Sequence, residues 1–279
     1  MYSVNEFVFS SQLGRKWMRC NFLVNLNDCD GLSLDGLQPF TRARKTKVTN
    51  NLKNTLLVSI TVMGFLSDWP FIGLLAGIPL IYELLKPTSS SLGADTRVQP
   101  RWSSLLNDKG WWMRAALPIY LLHQFEEHGY DFLGRRYAFR AYFCKNLGFE
   151  DIEACPLTPL VILFVNGSLV WITGLAARVN IQNARSFYGF TLINGLTHVL
   201  PAIFAGPRYN PGLVTTLILF FPGAFFALRA LGGAKRGIAA GVVCHIVLMG
   251  SMKLAAKGLI PEGALCGVQV LDTLLLLAL

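Results

Sequence analysis

Long apolar stretches separated by short polar connections dominate the chain from residue 54 to residue 279. The clearest stretch, LTPLVILFVNGSLVWITGLAA, has about 20 residues, which is the length a helix needs to cross the hydrocarbon core of a bilayer. We count about seven to eight hydrophobic segments of this kind. The pattern therefore predicts an all-α protein, a polytopic bundle of transmembrane helices.

Two parts of the chain depart from this simple pattern. Residues 1–53 are polar and basic and end in TRARKTKVTNNLK, so we expect a loosely ordered cytosolic arm ahead of a transmembrane helical domain at 54–279. Within the first apolar stretch, 54–85, Asp68 and Pro70 interrupt the hydrophobic run. This interruption favours two short tilted spans or a re-entrant hairpin over one long helix.

Composition supports the membrane interpretation. Charged residues make up only 15% of the chain, whereas a soluble domain carries roughly 25%. The net charge of +9 does not indicate nucleic acid, because Lys and Arg accumulate in the cytosolic loops of membrane proteins, and we expect no nucleic-acid partner.

The distribution of basic residues predicts an orientation. With the N-terminal arm in the cytosol, 18 Lys and Arg lie on that side and 7 on the other, although the four in loop 135–145 fit poorly. We therefore expect a multi-pass protein with a cytosolic N-terminus, in the endoplasmic reticulum or another endomembrane.

The six cysteines form no C-x-x-C pair and have no regular spacing. Neither a zinc ribbon nor a disulfide framework is predicted. Cys144 and Cys155 flank one loop and can form a bridge if that loop is lumenal.

Ionisable residues are concentrated in PIYLLHQFEEHGYDF, directly after an apolar run. At 100° per residue, His123, Glu126, Glu127 and Tyr130 share one face of a helix, whereas His128 lies about 140° from His123. An ionisable side chain within a membrane costs about 2.5–3.5 kcal/mol and is by default a functional hypothesis. The alternative is that the motif emerges at the interface, where solvated glutamates cost little.

Further polar residues interrupt the later apolar segments. Asn194 and His198 are one turn apart in TLINGLTHVLP, and His245 lies in AAGVVCHIVLMG. In the predicted orientation, the helices that carry His123, His198 and His245 all run outward and place these residues at similar depth. We expect the three imidazoles to meet, although hydrogen bonding between helices is an alternative role for His198 and His245.

Three blocks of the sequence are similar to one known family. HQFEEH at 123–128 resembles the signature of the HXXEE-motif family of small multi-pass membrane proteins, and NGLTH at 194–198 and RYNPGLVTTLILFFP at 208–222 resemble its later blocks. The likeness spans about 110–255. It implies a membrane protein with a shared His/Glu site but no particular reaction. By position in these blocks, the resemblance assigns the site to His123, Glu126, Glu127, Asn194, His198, Tyr209, Pro211 and Gly212.

Acid–base catalysis is the leading functional hypothesis. Two adjacent carboxylates in a poorly solvated bundle do not ionise together easily, so one keeps its proton beside a base. We therefore expect an integral membrane enzyme that cyclises or isomerises a lipophilic substrate, such as an isoprenoid, without a cofactor. Glu127 is the predicted acid. Its predicted partners are Glu126 and His123 at the acid, His198 and Asn194 at a substrate oxygen, Tyr130 on the same face, and Asn166, Tyr209 and His245 in the substrate pocket.

Other kinds of function stay open. The spacing excludes the zinc-protease motif H-E-x-x-H, because Gln124 stands where the Glu is needed. One divalent metal held by His123, Glu127 and His198, with a position left for water, is chemically sound. A proton-coupled transporter and a non-catalytic scaffold are the remaining alternatives. The expected partners are a lipophilic small molecule and the bilayer itself, and the oligomeric state is not predicted.

Overall fold

The computed structural model describes residues 68–86, 102–204 and 208–279, which form nine helices and contain no β-strand. The predicted all-α class is confirmed. The predicted arm at 1–53 and the start of the transmembrane domain lie outside the described residues. The helices are α1 (Asp68–Leu85), α2 (Trp102–Asn107), α3 (Lys109–Gln124), α4 (Ala138–Asn146), α5 (Pro159–Ala177), α6 (Ile181–Phe204), α7 (Leu213–Leu231), α8 (Ala234–Ala256) and α9 (Glu262–Ala278).

The helix boundaries follow local sequence signals. Asp108 caps α3 by accepting a hydrogen bond from the amide of Trp111 at 3.0 Å, and Thr158 caps α5 ahead of Pro159. Gly232 and Gly233, both with positive φ, separate α7 from α8. These signals give the short connections that an antiparallel bundle needs.

Five of the helices, α1 and α5 to α8, are long and apolar enough to cross a membrane. The other two long helices, α3 and α9, have 16 and 17 residues, so the predicted count of seven to eight hydrophobic helices is not confirmed. Large apolar side chains such as Ile203, Ile246 and Leu274 are exposed on the outside of the bundle. An outer surface of this kind suits contact with lipid, which gives the chain the character of a membrane protein.

Two groups of contacts mark the two ends of the bundle. At one end, Gln182 and Arg236 both donate hydrogen bonds to the carbonyl of Leu279, each at 3.0 Å. At the other end a disulfide joins Cys144 to Cys155, so the bridge that the sequence allowed is present. We call these the Leu279 end and the disulfide end.

Helices α6 and α8 touch backbone to backbone along three glycines, which we call the glycine seam (Gly189, Gly237 and Gly241). A Cβ atom built on Gly189 lies 1.8 Å from the carbonyl oxygen of Gly237, and one on Gly241 lies 2.4 Å from the backbone of Gly189. Gly237 and Gly241 form a G-x-x-x-G pattern, which allows such close approach between membrane helices. The seam fixes the position of α6 relative to α8.

Candidate metal centre and adjoining cavity

Helix α3 ends at Gln124 and is followed without a break by a π-turn, Phe125–Gly129. Hydrogen bonds of the i→i+5 type widen this turn and change which residues share a face. Tyr130 then adopts an extended backbone and is 45% exposed, so the predicted shared face is wrong for Tyr130. The turn instead places His128 beside Glu127, although regular helix geometry had placed it on another face. We call His123, Glu127, His128 and His198 the His/Glu cluster.

The Glu127 carboxylate lies among three imidazoles. Its Oε2 is 3.2 Å from Nε2 of His128 and 3.6 Å from Nε2 of His123, and its Oε1 is 3.5 Å from Nε2 of His198. All four side chains are buried, and the ring centroids of His123 and His198 are 5.0 Å apart. Of the three imidazoles expected to meet, His123 and His198 do so, whereas His245 packs on Phe190, with ring centroids 4.5 Å apart, and His128 takes the third place beside Glu127.

The second carboxylate, Glu126, has a different set of partners. It accepts hydrogen bonds from the Tyr209 hydroxyl at 2.9 Å, from the amides of Val214 and Thr215 at 3.1 and 2.7 Å, and from the Thr215 hydroxyl at 2.5 Å. The two amides belong to the first turn of α7, where N–H groups lack partners within the helix. Glu126 and Glu127 thus have separate sets of partners. The prediction that the two carboxylates share a site, so that one keeps its proton, has no support in this arrangement.

Glu126 orients His123 through Thr215. The Thr215 hydroxyl donates its proton to Glu126, so its oxygen accepts the Nδ1–H of His123 at 2.9 Å. His123 therefore carries its proton on Nδ1 and directs the Nε2 lone pair at Glu127. The role of Thr215 in orienting His123 was not predicted, although Thr215 lies in the RYNPGLVTT block.

Asn210 orients His198 in the same way. The Asn210 amide nitrogen donates to the carbonyl of His198 at 2.8 Å, which leaves its oxygen to accept from Nδ1 of His198 at 3.0 Å. His198 thus also directs an Nε2 lone pair at Glu127. Asn210 also begins a turn ahead of α7, in which the amide of Leu213 donates to the carbonyl of Asn210 at 3.1 Å.

A chain of side-chain hydrogen bonds leads to His128. The indole of Trp171 donates to Gln124 at 2.8 Å, and Gln124 donates to the oxygen of Asn166 at 2.5 Å. The Asn166 nitrogen then donates to the carbonyl of Ile162 at 2.8 Å and lies 3.3 Å from Nε2 of His128. Asn166, predicted as a pocket residue, therefore also orients an imidazole of the cluster, and Gln124 belongs to the same network.

Glycine is required where the loop before α7 closes over the cluster. Gly212 has φ +93, and a Cβ atom built on it lies 2.8 Å from Cε1 of both His123 and His198. A larger residue would strain the backbone and displace both imidazoles. The resemblance had assigned Gly212 to the site, and this contact supplies the physical reason.

Three acceptors that face one another are stable only when a cation or a proton lies between them. One ring nitrogen of His123, one carboxylate oxygen of Glu127 and one ring nitrogen of His198 all lie within 4.8 Å of one another. Ligands at about 2.0–2.2 Å from a tetrahedral zinc ion are roughly 3.3–3.6 Å apart. Nε2 of His123 is 3.6 Å from one oxygen of Glu127 and Nε2 of His198 is 3.5 Å from the other, so each histidine has this spacing to a different carboxylate oxygen. Two imidazoles and a carboxylate suit zinc or ferrous iron.

A cavity of about 290 Å³ adjoins the cluster. Glu127, His128 and His198 contribute to its wall, and so do three other residues predicted for the site, Asn166, Asn194 and His245. Most other lining residues are apolar: Phe139, Phe143, Leu147, Leu157, Ile162, Val165, Val170, Phe190, Pro201, Leu248, Met249 and Met252. The cluster therefore has an apolar chamber beside it.

The predicted pocket residue Tyr209 lies elsewhere, whereas Asn194 lines the cavity and also has hydrogen-bond partners of its own. Tyr209 does not line this cavity; its hydroxyl donates to Glu126 and accepts from the amide of Phe132 at 2.8 Å. Burial and the bond to Glu126 raise the pKa of Tyr209, against a lowering by the Phe132 amide, so the hydroxyl keeps its proton. Asn194 donates to the Tyr120 hydroxyl at 2.8 Å and lies 3.5 Å from Nε2 of His123.

Comparison with known proteins identifies one family. Residues 114–227 match the model of a family described as protein of unknown function with HXXEE motif. The predicted resemblance to the HXXEE family is confirmed over this segment, which contains His123, Glu127, His198 and Thr215 but not His245. No curated protein and no solved structure matches the chain.

Proposed function

We propose that this protein is an integral membrane enzyme that holds one divalent metal ion between His123, Glu127 and His198 and acts on a lipophilic substrate in the adjoining cavity. The observation that carries the proposal is the orientation of two buried imidazoles. Each donates its Nδ1–H outward, to Thr215 or Asn210, and each directs an Nε2 lone pair at the Glu127 carboxylate.

A metal ion satisfies this arrangement better than a proton. One proton pairs a single nitrogen with a single oxygen, whereas an ion accepts all three ligands at once. Histidines that bind metals usually donate their other ring N–H to a protein acceptor, as His123 and His198 do. An ion with an open coordination position polarises a substrate oxygen or activates a water molecule.

The surroundings of the cluster favour a lipophilic substrate. The cavity wall is mostly apolar, and the outside of the bundle exposes large apolar side chains. Binding sites for lipophilic molecules combine such walls with a few converging polar groups. Here the polar groups include Glu127, His128 and His198, with Asn194 and His245 in the same wall.

The disulfide favours the predicted orientation, with the disulfide end facing an oxidising lumen and the N-terminus in the cytosol. By count, the four basic residues of loop 135–145 fit this orientation poorly. Three of them, however, are paired with acidic side chains. Three ion pairs account for this: Arg135 with Asp131 at 2.7 Å, Arg136 with Asp68 at 3.0 Å and Arg140 with Glu153 at 3.0 Å. An endomembrane location remains part of the proposal.

Metal content tests the proposal directly. The protein, purified in detergent without chelators and then supplied with zinc or ferrous iron, should retain about one ion per chain by mass spectrometry. His123→Ala and His198→Ala should lose it. His245→Ala is the matched control, because His245 lines the same cavity outside the ligand trio and its loss should leave the metal content unchanged. Wild-type protein that retains no ion, or retention in both ligand variants, would contradict the proposal.

A second candidate is the acid–base cyclase or isomerase. It is favoured by the third imidazole, because His128 contacts Glu127 at 3.2 Å and lies outside the ligand trio, where it can exchange a proton with the carboxylate. A lipophilic product whose formation survives chelators but not Glu127→Gln would support this candidate over the metal enzyme. Uptake into vesicles that follows a pH gradient would instead support the transporter.

A further inference from the structure

We infer that the cavity binds a single-chain amphiphile whose anionic head group, a carboxylate or a phosphate, pairs with Lys253 where the cavity opens to the outside. This inference names the substrate class of the proposed enzyme and rests on the proposed function for the chemistry alone. The binding itself does not require the metal.

The cavity is not closed off from the outside, and its exposed part is polar. Of the described residues that line it, three are exposed: Asn146 at the end of α4, Thr197 on α6 and Lys253 on α8. We call these three residues the rim. The rest of the wall is mostly apolar. A ligand that suits both parts has a polar head group for the rim and an apolar chain for the interior.

The charge of the rim favours an anion. Lys253 is its one charged side chain, and none of the ion pairs among the described residues involves it. The only acidic residue of the cavity wall, Glu127, is buried among its imidazoles. A lysine carries a compact charge with three donors on a flexible stem, so its ammonium can reach a head group at the rim. A carboxylate or a phosphate is the group that this ammonium attracts.

The position of Lys253 along its helix suits a head group. Lys253 lies in the last turn of α8, one of the candidate membrane spans. The ends of such spans lie near the membrane surface, where lysine ammonium groups and lipid head groups both face water. His245, which also lines the cavity, lies eight residues earlier, roughly 12 Å deeper along α8. A bound amphiphile therefore keeps the orientation that it has in the bilayer, with its head group at the surface.

The interior limits the apolar part of the ligand to one chain. Between Lys253 and His245, α8 contributes Leu248, Met249 and Met252 to the wall. The volume of about 290 Å³ is at the small end of the roughly 300–1,000 Å³ that ligand sites span. This volume fits a single alkyl or isoprenoid chain, whereas a two-chain lipid is too large.

Probes with the same chain and opposite charge test the inference. Dodecyl phosphate and dodecyltrimethylammonium compete with a neutral tracer, tritiated dodecan-1-ol, in nanodiscs of uncharged lipid, and empty nanodiscs are subtracted. At equal mole fraction in the bilayer, wild-type protein should bind the anion roughly tenfold more tightly, because the ammonium attracts one probe and repels the other. Dodecanoate should also be preferred to the cation, and the tighter of the two anions identifies the head group.

Three variants connect this preference to Lys253. Lys253→Gln removes the charge and should bind the two probes about equally, whereas Lys253→Glu should prefer the cation. Lys257→Gln is the matched control, because Lys257 is exposed four residues further on but does not line the cavity. It loses the same charge and should keep the tenfold ratio. Equal binding of the probes by wild type, no displacement by either probe, or the same loss of preference in Lys253→Gln and Lys257→Gln would overturn the inference.

A two-chain lipid distinguishes a ligand in the cavity from lipid at the membrane surface, since basic residues near the surface also attract anionic bilayer lipids. Phosphatidic acid carries a phosphate on two chains. At the same mole fraction it should displace the tracer at least tenfold less effectively than dodecyl phosphate. Displacement of equal strength would overturn the inference that the ligand has a single chain.

Metal content separates this inference from the proposed function. Wild-type protein treated with a chelator should keep the tenfold preference for the anion. If purified protein binds no ion yet prefers the anion, the metal proposal fails and the role of the rim stands. If it binds an ion but does not distinguish the probes, only the role of the rim is wrong.

Discussion

The glycine seam and the His/Glu cluster share helix α6 and are built on opposite principles. At the seam, Gly189 brings two backbones into contact and no side chain intervenes. At the cluster, His198 and its neighbours bury polar side chains whose acceptors face one another. The seam is complete as it stands, whereas the cluster is complete only when it holds a cation or a proton. The comparison separates contacts that hold two helices together from a group of side chains that can bind a ligand.

The two regions are also far enough apart to be tested independently. Gly189 and His198 are nine residues apart on one helix, which corresponds to roughly 13 Å. Substitutions more than about 7–10 Å apart with no shared partners usually have additive effects on stability. A substitution in the seam should therefore leave metal binding measurable, and a substitution in the cluster should leave the stability of the seam measurable.

The largest expected effect is at the seam. In Gly189→Ala the new Cβ atom overlaps the carbonyl of Gly237, so α6 and α8 must separate. We expect a loss of about 3 kcal/mol or more in the free energy of unfolding, seen as a fall of about 10 °C in apparent melting temperature in detergent.

The matched control for this change lies on α8. Gly250 has no atom within 4 Å of a Cβ position, so Gly250→Ala should be neutral or slightly stabilising, since alanine is the better helix former. If both alanine variants melt like wild type, the close approach at the seam is not what holds α6 to α8.

The next largest effect is on metal binding. Glu127→Gln removes the anionic ligand while keeping its shape, so metal affinity should fall more than about 100-fold by competition with a fluorescent chelator. The metal-free variant should melt at or above the wild-type temperature, because an amide can donate to a histidine lone pair. A variant that unfolds as Gly189→Ala does would show that the cluster is structural and that the contrast between the two regions is wrong.

A smaller effect is expected from the outer partner of His123. Thr215→Val keeps the size of the side chain but leaves Nδ1–H of His123 without its acceptor. Metal affinity should fall roughly 10–100-fold, the usual cost of losing such a partner. Thr215→Ser retains the hydroxyl and should bind metal close to wild type. Equal losses in both variants would assign the effect to packing.

The smallest effect concerns a contact outside both regions. The ion pair between Arg136 and Asp68 spans 3.0 Å at the disulfide end, and both side chains are about half exposed. Because exposed pairs contribute about 0–1 kcal/mol, Arg136→Ala should lower the apparent melting temperature by no more than about 4 °C. A larger fall would mean that the attachment of α1 relies on this pair.

Much of the fold could be predicted because its signals are local. The all-α class and the spans α5 to α8 follow from the length of apolar runs, which lipid contact requires. The meeting of His123 and His198 was part of a prediction for three histidines, which rested on their similar distance along helices of predicted direction. The predicted count of seven to eight hydrophobic helices is not confirmed, because α3 and α9 are shorter than the five candidate spans of the described residues.

The prediction failed where the backbone left regular helix geometry. Placing Tyr130 with Glu127, and His128 apart, assumed 100° per residue, whereas the chain forms a π-turn from Phe125 to Gly129. Such a turn exchanges i→i+4 bonds for i→i+5 bonds, and only contacts with other helices select it. The separation of Glu126 from Glu127 depends in the same way on the start of α7, some 90 residues away.

The sequence by itself therefore determined that this is a helical membrane bundle and which residue types it buries. It indicated His123, Glu127 and His198 through their spacing along apolar segments, since an expensive polar group in such a segment needs a reason to be there. The tertiary structure alone decided which atoms face one another. Ring orientation is set by partners such as Thr215 and Asn210, which lie on other segments of the chain, and no local pattern encodes a hydrogen bond between distant segments.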